Sequence, residues 1–586
     1  MKESAQALVE RSRRWIEPPA VQDGDALALA GALSVPTAIA RLHIARGCAD
    51  VASARRFLSP ELADLSPFDG LPGVEEAAAR VATAIARREG ILIHGDYDVD
   101  GLSSAAILVR FLRRLGAPVS FYIPHRLEEG YGLSARGVRR AHEAGATLLV
   151  TTDCGSRSFA EVELARSLGM DTVITDHHEL GPHLPPAAAV VTPRREGTPR
   201  AHLDLCGAGV AFRLAQAVSR RLGLDDEHWR DALDLVALGT IADIVPLRGD
   251  NRLLARHGIH ALGATRKAGL RALMDAAGIR EGEVTGWHIA FVLAPRLNAA
   301  GRLGDAGRAL AALLTDDPVE GRAMADLLDG ENRARQKIDG EILAEAVEKV
   351  EVELDLNKTG AIVLESPRWH RGVVGIVASR IQERYGRPVV LLAREDDLAR
   401  GSGRSVPGFD LAAALDSMSE LFESHGGHPM AVGVSVAMRN LGEFRERLDA
   451  LARESLATWR TDRVVRLDLE LGFRELTTEL TRGLALLEPH GIGNERPQLV
   501  VRDVRLAGPP AVVKNAHLRL RLAQDGAVLP AIAFNMADRR RELERAGSRL
   551  DLIIECAEDR WRGGGAVEIR VRDFLPSGDP RGRCLV

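Results

Sequence analysis

Aspartates and histidines crowd four short stretches of this chain. HGDYDVDG supplies His94, Asp96, Asp98 and Asp100, DCG supplies Asp153, DHH supplies Asp176, His177 and His178, and GTIADIVPL adds Asp243 inside an otherwise apolar run. Carboxylates packed closely repel one another and rise in pKa unless a cation neutralises them. A pair of divalent cations is the economical solution. Oxygen and imidazole donors without a thiolate suit Mn²⁺ or Mg²⁺ better than structural zinc. Two such ions about 4 Å apart, bridged by one carboxylate, are the standard apparatus for in-line hydrolysis of a phosphodiester. Taken singly, each aspartate could equally be a helix N-cap at a strand-to-helix turn; it is the common chemical type of all four clusters that favours metal. Asp96 and Asp176 are expected to support the ligands rather than bind. DYDVDG also matches the start of a calcium loop, but the bidentate glutamate required at the loop's last position is missing, that residue being Ile107.

The elements that must position these groups are legible in the periodicity. Between residues 91 and 192, short apolar runs (ILIHG, PVSFYI, TLLVTT, TVIT, AAVV) alternate with helical patterns at 103–115, 134–144 and 156–168, which predicts successive β-α units and a parallel sheet. In such sheets ligands bind beyond the carboxyl ends of the strands, where three of the polar clusters fall. Residues 331–354 carry an apolar stripe that predicts a long connecting helix. A second α/β region follows it. From about residue 462 the pattern changes to period-two alternation over five or six strands, the expectation for a small antiparallel barrel such as the oligonucleotide-binding fold.

Bulk properties bound the function. A chain of 586 residues should divide into roughly three or four domains. Its 46% hydrophobic and 27% charged residues describe a folded globular protein rather than a disordered one. No apolar run approaches the roughly 18 residues of a membrane span and no targeting segment stands at the start, so a cytoplasmic protein without membrane association is expected. Five scattered cysteines without a C-x-x-C pair suggest neither disulfides nor a zinc knuckle. The net charge of -5 does not advertise a polyanion partner, although an acidic metal site and a basic groove can coexist.

DYDVDG, DCG, DHH and GTIADIVPL, in this order, resemble the four signature motifs of the DHH phosphoesterase superfamily. APRLNAAGR, GSGRS, GGHPMAVG, HGIGNERP and HLRLRL narrow the likeness to its bacterial single-strand-specific 5′ exonucleases, over about residues 60 to 575. The resemblance implies an α/β multidomain protein: a parallel-sheet DHH lobe, a long connecting helix, a second α/β DHH-associated lobe and a C-terminal antiparallel oligonucleotide-binding barrel. The expected boundaries are 1–65 for an N-terminal helical extension, 66–325, 326–355, 356–460 and 461–576 for those four parts, and 577–586 for a tail. It further implies one cation held by His94, Asp98 and Asp153 and a second by Asp100, Asp153, His177 and Asp243, with Asp153 as the bridge and His178 facing the scissile phosphate as electrostatic stabiliser or proton donor.

A 5′ end is best recognised through its phosphate, held by guanidinium groups and main-chain N–H donors. The resemblance points to Arg126, Arg302, Ser402 and Arg404 for that pocket; His428, after two glycines, is a candidate for a further phosphate or substrate contact or for a capping or turn role. Read without it, each arginine is an ordinary surface charge, improved for Arg302 and Arg404 by glycine-rich settings that let backbone approach a phosphate. In the barrel, Arg496, Arg502, Lys514, His517, Arg519 and Arg521 are candidates for tracking a single strand, and Phe473, Phe534, Trp561 and Phe574 are the few aromatics. Implied partners are single-stranded DNA, a single-strand binding protein and a RecQ-type helicase, and a monomer is expected. Two rivals remain: a DHH phosphodiesterase acting on short oligonucleotides or cyclic dinucleotides, and a non-catalytic DNA-binding scaffold.

Overall fold

A computed structural model describes residues 13–456, 464–547, 549–558 and 567–584. They fall into two compact units, one of Leu65–Trp459 with Gly491–Asn494, the other of Met1–Asp64, Arg460–His490 and Glu495–Val586.

The first unit opens with five parallel strands: β1 (Ile91–Gly95), β2 (Val119–Tyr122), β3 (Leu148–Thr152), β4 (Asp171–Thr175) and β5 (Ala189–Val191). They lie in the order β2-β1-β3-β4-β5. Parallel strands need crossover helices, here α1 (Val99–Arg114), α2 (Ala135–Glu143) and α3 (Phe159–Ser167). The runs ILIHG and LLVTT are buried throughout, as strands covered on both faces must be. Two further helices, α4 (Gly207–Arg221) and α5 (Leu233–Ala242), pack on α1 and carry site residues at their ends. Helix α6 (Ala294–Leu303) leads towards the connecting helix α7, which spans Pro318–Glu353. That helix starts eight residues before the expected position 326, because Pro318 occupies the first turn and the Asp317 side chain caps it by accepting from Val319 N at 2.7 Å. Its 36 residues extend about 54 Å.

The second lobe of this unit is built on a mixed sheet. Its strands are β6 (Ile362–Ser366), β7 (Val389–Glu395), β8 (Leu398–Arg404), β9 (Phe422–His428) and β10 (Ala431–Ala437), in the order β9-β10-β8-β7-β6. Only β6 and β7 run parallel, joined through helix α8 (Val374–Tyr385).

In the other unit a seven-stranded sheet closes on itself through the pairing of Leu499–Leu506 with His517–Gln524. Alternation along HLRLRL buries Leu518, Leu520 and Leu522 and exposes Arg519 and Arg521. The N-terminal segment, read from the sequence as an extension of its own, shares this core: Ile39, Leu42 and Leu58 pack with Val501, Leu520, Leu552 and Phe574. Arg14–Ile16 forms a parallel strand with Val464–Arg466, and Trp15 is wholly buried. The terminal segment is tied in as well, since Cys584 N donates to Trp15 O and Glu17 N to Cys584 O, both at 2.9 Å.

Among the described residues no single helix is long and apolar enough to cross a membrane.

Candidate active site

The parallel strands deliver their polar clusters to one edge. Asp98 caps α1, its Oδ1 accepting from Asp100 N at 3.0 Å and Gly101 N at 3.1 Å. The capping role that any one aspartate could have filled is thus real, and it leaves the second oxygen of Asp98 unused by the cap. Asp100, in the first turn, is received by the N-terminus of α4: Gly207 N and Ala208 N donate to its two oxygens at 2.6 and 2.9 Å. Asp153 follows β3 with φ 61°, a left-handed conformation that costs a non-glycine residue about 1–3 kcal/mol. Such close approach requires glycine opposite. A methyl group on Gly207 would lie 2.6 Å from Asp153 Oδ1, and one on Gly239 would lie 2.5 Å from Asp100 Oδ1. Asp243 ends α5.

His177 gathers these carboxylates. Its Nε2 lies 3.1 Å from Asp153 Oδ1, 3.5 Å from Asp243 Oδ2 and 3.8 Å from Asp100 Oδ2. Three sets of donors each fall within 4.8 Å: Asp96, Asp98 and Asp153; Asp100, His177 and Asp243; Asp153, His177 and His178. The electrostatics match the crowding. Burial, with the neighbouring carboxylates adding, raises Asp96 and Asp153 well above the ordinary range, Asp100 to about 6 and Asp243 to about 9. Burial and the adjacent His178 push His177 down to about 3, so its imidazole is neutral, the form that ligates metal. Both oxygens of Asp96, Oδ1 of Asp153 and both nitrogens of His177 are buried without a hydrogen bond. Such orphans are rare in folded proteins, and a pair of divalent cations fits them.

His94, expected to bind, is in none of the three sets. It is fully buried on β1, its ring 5.5 Å from that of Tyr122 and its Nδ1 4.0 Å from Cys154 Sγ. Asp96, expected to be supporting, groups with Asp98 and Asp153. Asp176 accepts from the main-chain N of Ser156, His177 and His178, and lies 2.8 Å from His178 Nδ1. Burial opposes its ionisation, yet these bonds hold it down at about 2.

The sequence-distant arginines also converge. Arg126 lies over the Tyr97 ring at 4.7 Å. Burial, with Arg126, Arg335 and Arg404 adding, pushes Arg302 down to about 9, and burial with Arg126 lowers Arg404. Arg302 donates to Gly372 O at 3.0 Å, and Arg404 to Ser379 Oγ at 3.1 Å and Gly403 O at 2.7 Å. Among the described residues none of Arg126, Arg302 and Arg404 is within ion-pair distance of a carboxylate, although burial and mutual repulsion lower Arg302 and Arg404. Ser402 and Arg404 face the first turn of α8, where a methyl on Gly375 would meet Ser402 Oγ at 3.2 Å and an Arg404 nitrogen at 3.3 Å. Residues 401–404 of GSGRS lie in strand β8, and their glycines serve strand packing: a methyl on Gly401 would collide with Leu391 O. His428 is exposed at the end of β9 and pairs through Ala431 to Arg404, two strand spacings or about 10 Å away.

A model of the DHH family N-terminal domain matches residues 90–240, one of the DHHA1 domain residues 358–454, and one of the RecJ OB domain residues 467–573. The single-stranded-DNA-specific exonuclease RecJ of Escherichia coli K12 is 35% identical over 565 residues, which span 92% of this chain and 96% of that protein. The chain belongs to the RecJ family. RecJ of Bacillus subtilis 168 is 36% identical over 550 residues, covering 93% of this chain and 69% of its own. The crystal structure of Thermus thermophilus RecJ in complex with Mn²⁺ has a TM-score of 0.83 at 33% identity, over 96% of this chain and 80% of that one; the same protein has been solved with Mg²⁺ at a TM-score of 0.77.

The RecJ fold brings in residues the sequence did not single out. Tyr131, flanked by Gly130 and Gly132, places its hydroxyl 2.8 Å from His178 Nδ1. Arg194 donates to His177 O at 2.8 Å. Arg335 sits on the buried stripe of α7, in register with apolar residues, and pairs with Asp339 at 3.5 Å. In the barrel, Arg502 is corrected: it is buried, with Asp551 and Glu17 at 2.9 Å and Glu470 at 3.0 Å, and so holds strands together rather than tracking DNA. Trp561 lies outside the described residues.

Proposed function

We propose that the chain is a single-stranded-DNA-specific exonuclease that removes nucleoside 5′-monophosphates in the 5′ to 3′ direction with the aid of two divalent cations, Mn²⁺ or Mg²⁺. The observation that carries this reading is the pairing of two sites within one unit: a carboxylate–imidazole cluster rich in orphaned donors and, across Tyr97, three arginines without acidic partners. Asp96, Asp98 and Asp153 would hold one cation, and Asp100, Asp153, His177 and Asp243 the other, with Asp153 shared. His94, whose Nε2 is likewise buried without a hydrogen bond, lies outside these two sets. When bound, such ions supply charge that stabilises the oxygens of the scissile phosphate and acidify the attacking water.

The rest falls to the protein. Arg126, Arg302, Arg404 and Ser402, with the first turn of α8, receive the terminal 5′-phosphate. His178 presents its ring to the next phosphate, oriented by Asp176. Water adds to that phosphorus and the 3′ oxygen of the terminal nucleotide leaves, so the shortened strand again ends in a 5′-phosphate. Each cut therefore regenerates the group that the arginines recognise, which gives the reaction its direction.

The experiment is incubation of 5′-labelled single-stranded, duplex and 3′-blocked DNA with Mn²⁺ or Mg²⁺, with and without chelator. Labelled mononucleotide from single strands, unaffected by the 3′ block and lost on chelation, is expected. Cleavage confined to dinucleotides, or none at all, would replace this reading with a short-substrate phosphodiesterase or a scaffold.

A further inference from the structure

The segment between β2 and α2, residues 123–133, touches both halves of the site. Glu129 ties it into a compact turn: its carboxylate accepts from Tyr122 OH at 2.8 and 3.0 Å, His125 N at 2.9 Å and Ser134 Oγ at 2.7 Å. Burial opposes the charge, but these bonds prevail and keep the carboxyl below its ordinary value. One arm of the turn carries Arg126, stacked on Tyr97. The other carries Tyr131 between Gly130 and Gly132, whose φ values of 81° and 98° are open to glycine and strained for other residues.

Tyr131 reaches the catalytic edge. Its hydroxyl is 3.0 Å from Asp153 O and 2.8 Å from His178 Nδ1. A phenol has one hydrogen, and a main-chain carbonyl can only accept, so that hydrogen goes to Asp153 O. Towards His178 the phenol oxygen is then an acceptor. The second neighbour of Nδ1, Asp176 Oδ1 at 2.8 Å, is an acceptor too. Nδ1 must therefore carry the proton, and Nε2 is the atom that His178 offers to the reaction.

We propose that Tyr131 is a positioning residue that, with Asp176, holds the Nδ1–H tautomer of His178 and braces the strained backbone of Asp153, and that the 123–133 segment couples capture of the 5′-phosphate to this alignment. Arg302 belongs to helix α6 and Arg404 to strand β8, whereas Arg126 belongs to the turn. Without an anion the three like charges repel, and of the three only Arg126 is carried by a turn rather than by a helix or strand. A phosphate among them reverses the sign of that force, and Glu129 transmits the position of Arg126 to Tyr131. The identity of the anion rests on the function proposed above; the tautomer does not.

The test is Tyr131→Phe, assayed with Mn²⁺ on 5′-phosphorylated and 5′-hydroxyl single strands. On the phosphorylated strand kcat is expected to fall about tenfold, the scale of one hydrogen bond to a polar catalytic group, with KM nearly unchanged. The advantage in kcat that the 5′-phosphate gives the unsubstituted enzyme is expected to disappear in Tyr131→Phe and in Glu129→Gln, while the advantage in KM persists. Retention of the phosphate-dependent kcat by both variants would overturn the coupling. Independently, metal-free protein labelled with ¹⁵N-histidine, at a pH where His178 is neutral and with its signal assigned through His178→Gln, is expected to show the proton on Nδ1. A proton on Nε2 would overturn the positioning role even if hydrolysis is normal. Failure of the unsubstituted enzyme to cut any single strand would remove the coupling along with the proposed function, and the spectra would still decide the tautomer.

Discussion

Asp243→Asn should make the metal-free protein more stable and the metal-loaded protein less so. Burial and the charges of Asp100 and Asp98 raise the Asp243 carboxyl from 3.8 to about 9. A carboxyl whose folded value lies above its unfolded one binds protons on folding, so its contribution becomes progressively unfavourable as pH rises from about 4 to about 9. Each pH unit is worth about 1.4 kcal/mol, which sets a ceiling near neutrality of about 4 kcal/mol. Sharing of the repulsion among three carboxylates, and the 24% exposure of the Asp243 side chain, reduce this to about 1–2 kcal/mol. Asparagine keeps the shape and removes the charge. In chelator, thermal unfolding should show the variant and the unsubstituted protein alike near pH 4, with the variant ahead by a few degrees at neutral pH and above. Saturating Mn²⁺ should reverse the order, because a ligand at a hundred times its Kd adds about 2.7 kcal/mol to a protein that binds it. A variant that is less stable in chelator by the same amount at every pH would refute the reasoning, since the carboxylate would then be a structural group and not one awaiting a cation.

Other outcomes follow from the same geometry. Asp153→Ala should lower single-turnover hydrolysis by at least about a thousandfold while leaving single-strand binding, measured by filter retention, largely intact. Arg302→Ala and Arg404→Ala should each weaken discrimination between 5′-phosphate and 5′-hydroxyl ends by about tenfold or more, read from competition of the two substrates, because each removes a charge-assisted donor from the same anion. Arg502→Ala should destabilise the barrel by about 3–5 kcal/mol through the stranded Asp551 carboxylate, seen in denaturant unfolding, without a matching loss of DNA affinity.

Much of the site was readable before any fold was known, because the chemistry is local to strand ends. Every strand of the first sheet lies on an apolar run, and three of the four polar clusters follow the strand that delivers them, while Asp243 ends a helix. That Asp96 rather than His94 groups with Asp98 and Asp153 was not readable. Both belong to HGDYDVDG, and the spacing of donors does not say which side chain clears the end of β1 and which stays within the sheet against Tyr122. The role of Arg502 was hidden for a related reason: an arginine in a polar-alternating strand has the same pattern whether it meets solvent or three acids from other segments.

By itself, then, the sequence determined the donor types, their order and the elements that carry them, since hydrophobic periodicity and turn chemistry depend on neighbours only a few residues away. Tertiary structure alone decided which carboxylates share one volume, that arginines 126, 302 and 404 meet without acids, and that the N-terminal segment completes the barrel near the other end of the chain. Those outcomes depend on which buried faces pack together across hundreds of residues, and that choice rests on complementary shape and charge, which no local pattern records.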